Sequence, residues 1–284
     1  MMTIHLFQTV PSGCLADTGF TPLLTDTHAT WANFKAIRTY FLENQFDENA
    51  LYGFMSSSFM TETGIQAQHI SRFVEDNPNA DVYVFYPFVE DALFLNVFEQ
   101  GDYVCSGLKE VAQQYLDAIG LSHDIGSWVT EADVAVRSPY IVAKPVFWQT
   151  WFDLAEQVHT LAQSTDAPIA HQLNVQVSAT AAPMKALLIE RLASLVLDLD
   201  QSLSLMACDG LSMKMAESLS LTEKKGLQTV NKLKHIYRQQ QDAAVLAKFY
   251  DLRNVLLTQS VSTVKLPESA VTELIEKSLV ATVA

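Results

Sequence analysis

The stretch "DVYVFYP" (Asp81–Pro87) decides the reading of the fold. It is apolar, aromatic and valine-rich, too short for a stable helix, and closed by a proline, so it reads as a core strand. Just upstream, Ile65, Ile70, Phe73 and Val74 mark one face of a helix that stops at Asn77-Pro78-Asn79. "ALYGFMS" (Ala50–Ser56) precedes that helix and is again strand-like. Before it, Trp31, Phe34, Ile37 and Phe41 line a helix running to about Asn44. "IHLFQTV" (Ile4–Val10), stopped by Pro11-Ser12-Gly13, opens the series as a short buried strand. Strand, helix, strand, helix, strand is the alternation of an α/β layer with a largely parallel sheet.

Downstream, Asp91–Ala118 reads as helical, with Leu93, Val97, Leu108, Val111, Ala112 and Tyr115 in phase. "SPYIVAKP" (Ser138–Pro145) is another short strand that runs into the helix "VFWQTWFDLAEQVHTLA", and a further helix, "MKALLIERLASLVLDL", begins after Pro183. Beyond about Asp200 the strand signals stop. Residues 222–241, 243–258 and 267–279 read as helices, the last opened by Pro267-Glu268. The expected organisation is an α/β core over residues 1–200 and a helical annex over 201–284 packed on it, with no internal repeat or linker.

Composition narrows the classes of function. With 284 residues, 49% of them hydrophobic, the chain can bury a large core. A formal charge of −14 repels a phosphate backbone and no basic stripe offsets it, so nucleic acid is not an expected partner. Cys14, Cys105 and Cys208 are far apart and form no CxxC, which fits a reducing compartment. The N-terminus lacks the features of a signal peptide, and no apolar run approaches the ~20 residues of a membrane helix. The expectation is a cytoplasmic protein without a transmembrane segment.

Familiar catalytic signatures are missing: no GxGxxG, P-loop, GxSxG or HExxH occurs. Four constellations remain. In "ADVYVFYPFVED" the acids flank the strand, Asp81 before it and Glu90-Asp91 after it, so there is no clear Asp-x-Asp motif to hold Mn²⁺ or Mg²⁺ on a diphosphate. Asp81 is read either as a strand-entry residue or as a ligand. "LLIERLASLVL" sets Glu190 and Arg191 inside an apolar helix, where they form an internal ion pair or place a carboxylate at a substrate hydroxyl. Tyr140, Lys144, Trp148 and Trp151 gather around a strand-to-helix turn, suited to sugar rings and equally to plain packing. Finally, "YGFMSSSFMTETG" (Tyr52–Gly64) carries Ser56, Ser57, Ser58, Thr61 and Thr63, either a polar turn with a helix N-cap or the floor of a site for a hydroxyl-rich ligand.

The segments "YGFMSSSFMTETG", "ADVYVFYPF", "NVFEQGDYVCSGL", "YIVAKPVFW" and "IERLASLVL", in this order over roughly residues 50–200, resemble a family of bacterial proteins from capsule and lipopolysaccharide gene clusters that are treated as glycosyltransferases. The last segment is also similar to a polysaccharide-related transferase family assigned the GT-A fold, a nucleotide-sugar-binding α/β sandwich. The resemblance implies a GT-A-like, Rossmann-type fold and transfer of a sugar from a nucleotide-sugar donor to a glycan acceptor, with other polysaccharide-assembly proteins as partners. It implies catalytic roles for Glu190 and Asp81, and substrate-binding roles for Gly53, Ser56, Thr63, Tyr140, Lys144, Trp148 and Arg191, while Ser57, Ser58 and Tyr86 are candidate substrate contacts beside them that do not match the family's pattern. The family's pattern has a tryptophan and a basic residue in the places of Ser57 and Ser58, and a second basic residue in the place of Glu62. Those departures raise the alternative of a sugar-binding or scaffolding protein that has lost the transfer reaction.

Overall fold

The computed structural model describes residues 2–25, 30, 31, 33–85, 88–130, 134–138, 140–176, 182–208, 219–261 and 268–280. Six strands form one sheet: β1 (Thr3–Pro11), β2 (Thr21–Thr25), β3 (Ala50–Met55), β4 (Val82–Val84), β5 (Ile141–Ala143) and β6 (Leu205–Ala207), in the order β2-β1-β3-β5-β4-β6. β1 is parallel to β2 and β3, and β4 is parallel to β6, whereas β5 is antiparallel to both β3 and β4. All strands but β5 therefore point the same way, so the expected α/β class with a mostly parallel sheet is what the chain forms.

The helices are α1 (Phe34–Glu43), α2 (Phe59–Thr63), α3 (Ala67–Asp76), α4 (Val97–Val104), α5 (Leu108–Ala118), α6 (Pro145–Gln163), α7 (Ala170–Leu173), α8 (Met184–Leu199), α9 (Leu221–Gln240), α10 (Ala243–Val261) and α11 (Glu268–Val280). Three expectations need correction. Asp91–Ala118 is not one helix: a 3-10 turn (Val89–Leu93) leads to α4, and Gly107 at φ 94° separates α4 from α5. The Asn96 side chain accepts from the Phe98 and Glu99 amides and so starts α4 afresh, which hydrophobic phase alone cannot reveal. Strands also do not stop at Asp200, because β6 pairs with β4 and extends the sheet beyond residue 200. Lastly, β2 is a half-exposed edge strand, "TPLLT", without the apolar alternation that marks strands in sequence.

Two apolar clusters hold these elements. The larger covers both faces of β1, β3, β4 and β5 and takes in α6 and α8, including the fully buried Trp148 and Trp151. Trp148 Nε1 donates to the Tyr52 carbonyl at 2.7 Å, so α6 is hydrogen-bonded to the central strand it covers. The smaller cluster joins α9, α10 and α11 to Ala92–Leu95 and Val129. Tyr250 and Arg253 of α10 reach Glu99 of α4 at 3.3 and 3.2 Å, so the C-terminal helices dock on the α4 region.

α8 and α4 are locked by Arg191, whose guanidinium donates to the Val97 carbonyl, the Leu187 carbonyl and Gln100 Oε1 at 2.9–3.0 Å. Gly101 lies under that guanidinium, where a methyl group would stand 2.7 Å from Arg191 Nε. Gly53 is a second close approach: a β-carbon there would stand 2.8 Å from Val142 and 3.2 Å from Leu6, the neighbours on β5 and β1. Gly53→Ala is therefore expected to destabilise the fold by about 1–3 kcal/mol through overpacking. Urea denaturation measures this, and an unchanged midpoint would show that β5 has room to yield.

Candidate functional site

In open α/β sheets, ligands bind outside the carboxyl ends of the parallel strands, where successive connections leave in opposite directions. Here that point lies between β1, which is followed by β2 on one side, and β3 on the other. Polar side chains gather there. Gln8, buried in β1, donates to Asp17 Oδ2 at 2.7 Å and to the Ser56 carbonyl at 3.3 Å, and accepts from the Asp17 amide at 2.6 Å. Next to it, Thr9 donates to Asn33 Oδ1 at 2.7 Å.

Because β5 runs backwards, its amino-terminal end arrives at this same edge. The register pairs Gly53 with Val142, and carried onward it sets Tyr140 beside the end of β3. The Tyr140 phenol, buried at 1% exposure, donates to Glu62 Oε2 at 2.8 Å, and its oxygen is 2.8 Å from Ser56 Oγ and 3.3 Å from Ser58 Oγ. The two serine hydroxyls are 2.9 Å apart. Burial is the main cause that pushes the Tyr140 hydroxyl well above the ordinary tyrosine range, so it is a neutral hydrogen-bond hub. The serine run is thus not a helix cap: Ser58 begins α2 without a side-chain capping bond, and Gln66 and His69 cap α3. Ser57 points to solvent-exposed surroundings.

Glu190 approaches from α8. The residue is half-buried and borders a cavity of about 10 Å³ with Trp31, Asn33, Phe34 and Trp151. Burial raises its pKa from 4.5 to about 7; the charge of Arg191 opposes this, Glu62 adds to it, and Arg137 opposes it. One turn along the same face of α8, Ser194 Oγ accepts from the Val136 amide at 2.6 Å and lies within hydrogen-bond distance of the Val134 and Val136 carbonyls. That clasp holds the segment carrying Arg137 near Glu190. Arg137 in turn lies 3.8 Å from buried Asp91 and stacks over Phe88 at 4.8 Å.

Of the residues expected from sequence, Ser56, Ser58, Tyr140 and Glu190 come to this edge, and Gly53 and Thr63 form its framework. Thr63 is buried and ties off α2, donating to the Phe59 carbonyl at 2.7 Å and accepting from Ile65 at 3.1 Å. Trp148 and Arg191 are packing and locking groups, as described above. Asp81 and Lys144 are not brought here. They flank the amino end of β4 and the carboxyl end of β5, on the opposite edge of the sheet, and pair at 2.6 Å. The hydrogen bond from Lys144, followed by that from Ser204, pushes the Asp81 carboxyl down to about 2. Tyr86 lies outside the described residues. Among the described residues no set of three or more His, Cys, Asp or Glu side chains could hold a metal ion.

Sequence reasoning singled out Glu62 but missed Arg137, Asn33, Gln8 and Asp17 as neighbours of the site. Only the direction of β5 brings Arg137 to this edge, and strand direction has no signature in a three-residue strand. No protein-family model, curated protein or solved structure matches the chain. Among the described residues no helix is long and apolar enough to cross a membrane.

The raised pKa of Glu190 has a thermodynamic consequence. Between its unfolded value near 4.5 and its folded value of about 7, the folded state binds the proton more tightly than the unfolded chain does. The stabilisation from this group is complete below the unfolded value and is lost as pH rises through about 7. From pH 5 to 8 the wild type is expected to lose up to about 3 kcal/mol relative to Glu190→Gln in urea denaturation. Parallel stability curves for the two proteins would contradict the assignment.

Proposed function

We propose that this chain is a GT-A-like glycosyltransferase that moves a sugar from a nucleotide sugar to a hydroxyl of a polysaccharide or glycolipid acceptor. One observation carries the reading: a half-buried carboxyl, Glu190, whose surroundings raise its pKa to about 7, near a hydroxyl-rich cluster at the carboxyl edge of the parallel strands. The segment resemblance set out above points the same way. In this reading Glu190 accepts the proton of the acceptor hydroxyl. The acceptor oxygen then bonds to the anomeric carbon, and the nucleoside diphosphate departs with the electron pair of the broken C–O bond. Ser56, Ser58 and Tyr140 shape the polar wall, and Glu62 orients the Tyr140 hydroxyl.

A second reading, a sugar-binding or scaffolding protein that transfers nothing, is favoured by the Glu62 carboxylate, which stands at the serine cluster where the resemblance has a basic residue. The two readings part in one experiment. Thermal denaturation with UDP-, GDP-, CMP- and dTDP-sugars, with and without manganese, is expected to show a raised Tm with at least one donor. With that donor, Glu190→Gln should fold and bind but transfer roughly 100-fold or more slowly, the loss typical of a missing general base. Asp81→Asn, on the far edge, should leave donor binding unchanged. Stabilisation by free glycans and by no nucleotide sugar would establish the binding-protein reading instead.

A further inference from the structure

A cavity of about 140 Å³ lies where the last turn of α8, the approach to β6 and the last turn of α9 meet. Asp198 on its wall follows Glu190 by eight residues, about 12 Å along α8 at the usual helical rise, so this cavity is separate from the one at the sheet edge. Apolar cavities of about 150 Å³ admit benzene, so this volume suits a single six-membered ring. Here, however, the lining is amphipathic. Val134, Leu197, Leu203 and Leu205 supply an apolar wall, and Asp198 and Thr130 supply polar groups. Gln201 is exposed and the Arg238 side chain is 43% exposed, so the cavity opens to solvent on their side.

The Asp198 carboxylate is the polar centre. It lies 3.8 Å from the Arg238 guanidinium and 3.9 Å from His123 Nε2, both longer than hydrogen bonds. His123 Nε2 is buried and has no hydrogen-bond partner among the described residues. A carboxylate oxygen and an unmatched ring nitrogen at that separation can both bond one hydroxyl, each at about 2.8 Å. Arg238 offsets the charge of Asp198, so the charged side chains lining the cavity sum to zero and select no ion of either sign. What the lining selects is a neutral molecule that donates to a carboxylate and lays its carbon skeleton on leucines.

We propose that this cavity is a second binding site, for a single neutral sugar ring. One ring hydroxyl donates to Asp198 and accepts from His123 Nε2–H, and the C–H face of the ring packs on Leu197, Leu203 and Leu205. The remaining hydroxyls face the open side and stay hydrated. The site stands independently of the transferase reading, because it takes free sugar whether or not the sheet edge transfers one.

The test titrates the full chain with xylose, glucose, galactose and mannose by calorimetry. Sucrose, too large for the cavity, controls for the general stabilisation of proteins by sugars. Saturable binding of at least one monosaccharide is expected. Asp198→Asn keeps the shape of the site and should weaken that sugar roughly 10-fold or more. Leu203→Trp fills the cavity without changing its charge and should abolish binding, which keeps the proposal testable if the first variant folds poorly. Glu190→Gln should bind the sugar as the wild type does. Binding lost in Glu190→Gln and kept in Asp198→Asn would place the sugar at the sheet edge, overturning the second site while leaving the transferase reading untouched. Saturable binding of sucrose equal to that of the monosaccharides, tighter binding of isobutylamine or isovalerate than of any sugar, or no saturable binding at all would overturn it too.

Discussion

The reversed strand β5, wedged between β3 and β4, is the constraint on which the candidate site depends. A parallel strand in that slot would begin at the amino edge and bring its leading residues to the side where Asp81 lies. Because β5 is antiparallel to both neighbours, the residues that precede it reach the carboxyl edge instead. Tyr140 meets the serines that end β3, and Arg137 comes within electrostatic reach of Glu190. The following residue, Lys144, is delivered to the other edge, where it holds Asp81. One reversal of direction sorts these groups into a polar cluster on one side and a structural ion pair on the other.

The serine cluster shows how the fold handles polar groups that it buries. Tyr140 is almost inaccessible, so its hydroxyl must be satisfied internally, and Glu62 accepts a hydrogen bond from it while the Ser56 and Ser58 hydroxyls surround its oxygen. Four side chains from α2, the end of β3 and the start of β5 are thereby fixed relative to one another. Such a network holds hydroxyls in defined directions, which is what recognition of a hydroxyl-rich ligand requires. A bulky or basic side chain at Ser58 could not make the same contacts with Ser56 and Tyr140.

Much of the scaffold was legible in the sequence because burial writes periodicity. β3, β4 and β5 are apolar throughout, and α6 and α8 carry long buried faces, so each stood out. β2 and β6 did not, because half-exposed edge strands carry no such pattern. The site was legible residue by residue but not as an arrangement. Ser56, Ser58, Tyr140 and Glu190 were visible as polar groups in apolar surroundings. That Glu190 and Arg191, adjacent in sequence, face different ways on α8 follows from helical geometry. Which of them is locked depends on Gln100 and the bare backbone of Gly101, residues far away in sequence. Arg137 carried no signal, since an arginine before a short strand looks the same whichever way that strand runs.

α8 unites stability and chemistry in one element, and its polar residues divide by face. Arg191 turns toward α4, where three acceptors satisfy its guanidinium, so its burial is compensated. Ser194 is equally satisfied by the Val134–Val136 backbone. Among the described residues no comparable set of donors meets Glu190, one turn from Ser194 on the same face, and Glu62 adds repulsion. A helix whose other buried polar groups are well matched, yet which retains a destabilising carboxyl, departs from local consistency at a single position. Departures of that kind concentrate where a side chain does chemistry, since stability alone would favour glutamine or leucine there. The carboxyl also lies at the carboxyl edge of the parallel strands, where Arg137, a second guanidinium acting on it, is partly open to solvent. Position, charge and unfavourable burial coincide on Glu190, and that coincidence is what singles out this edge of the sheet as the candidate site.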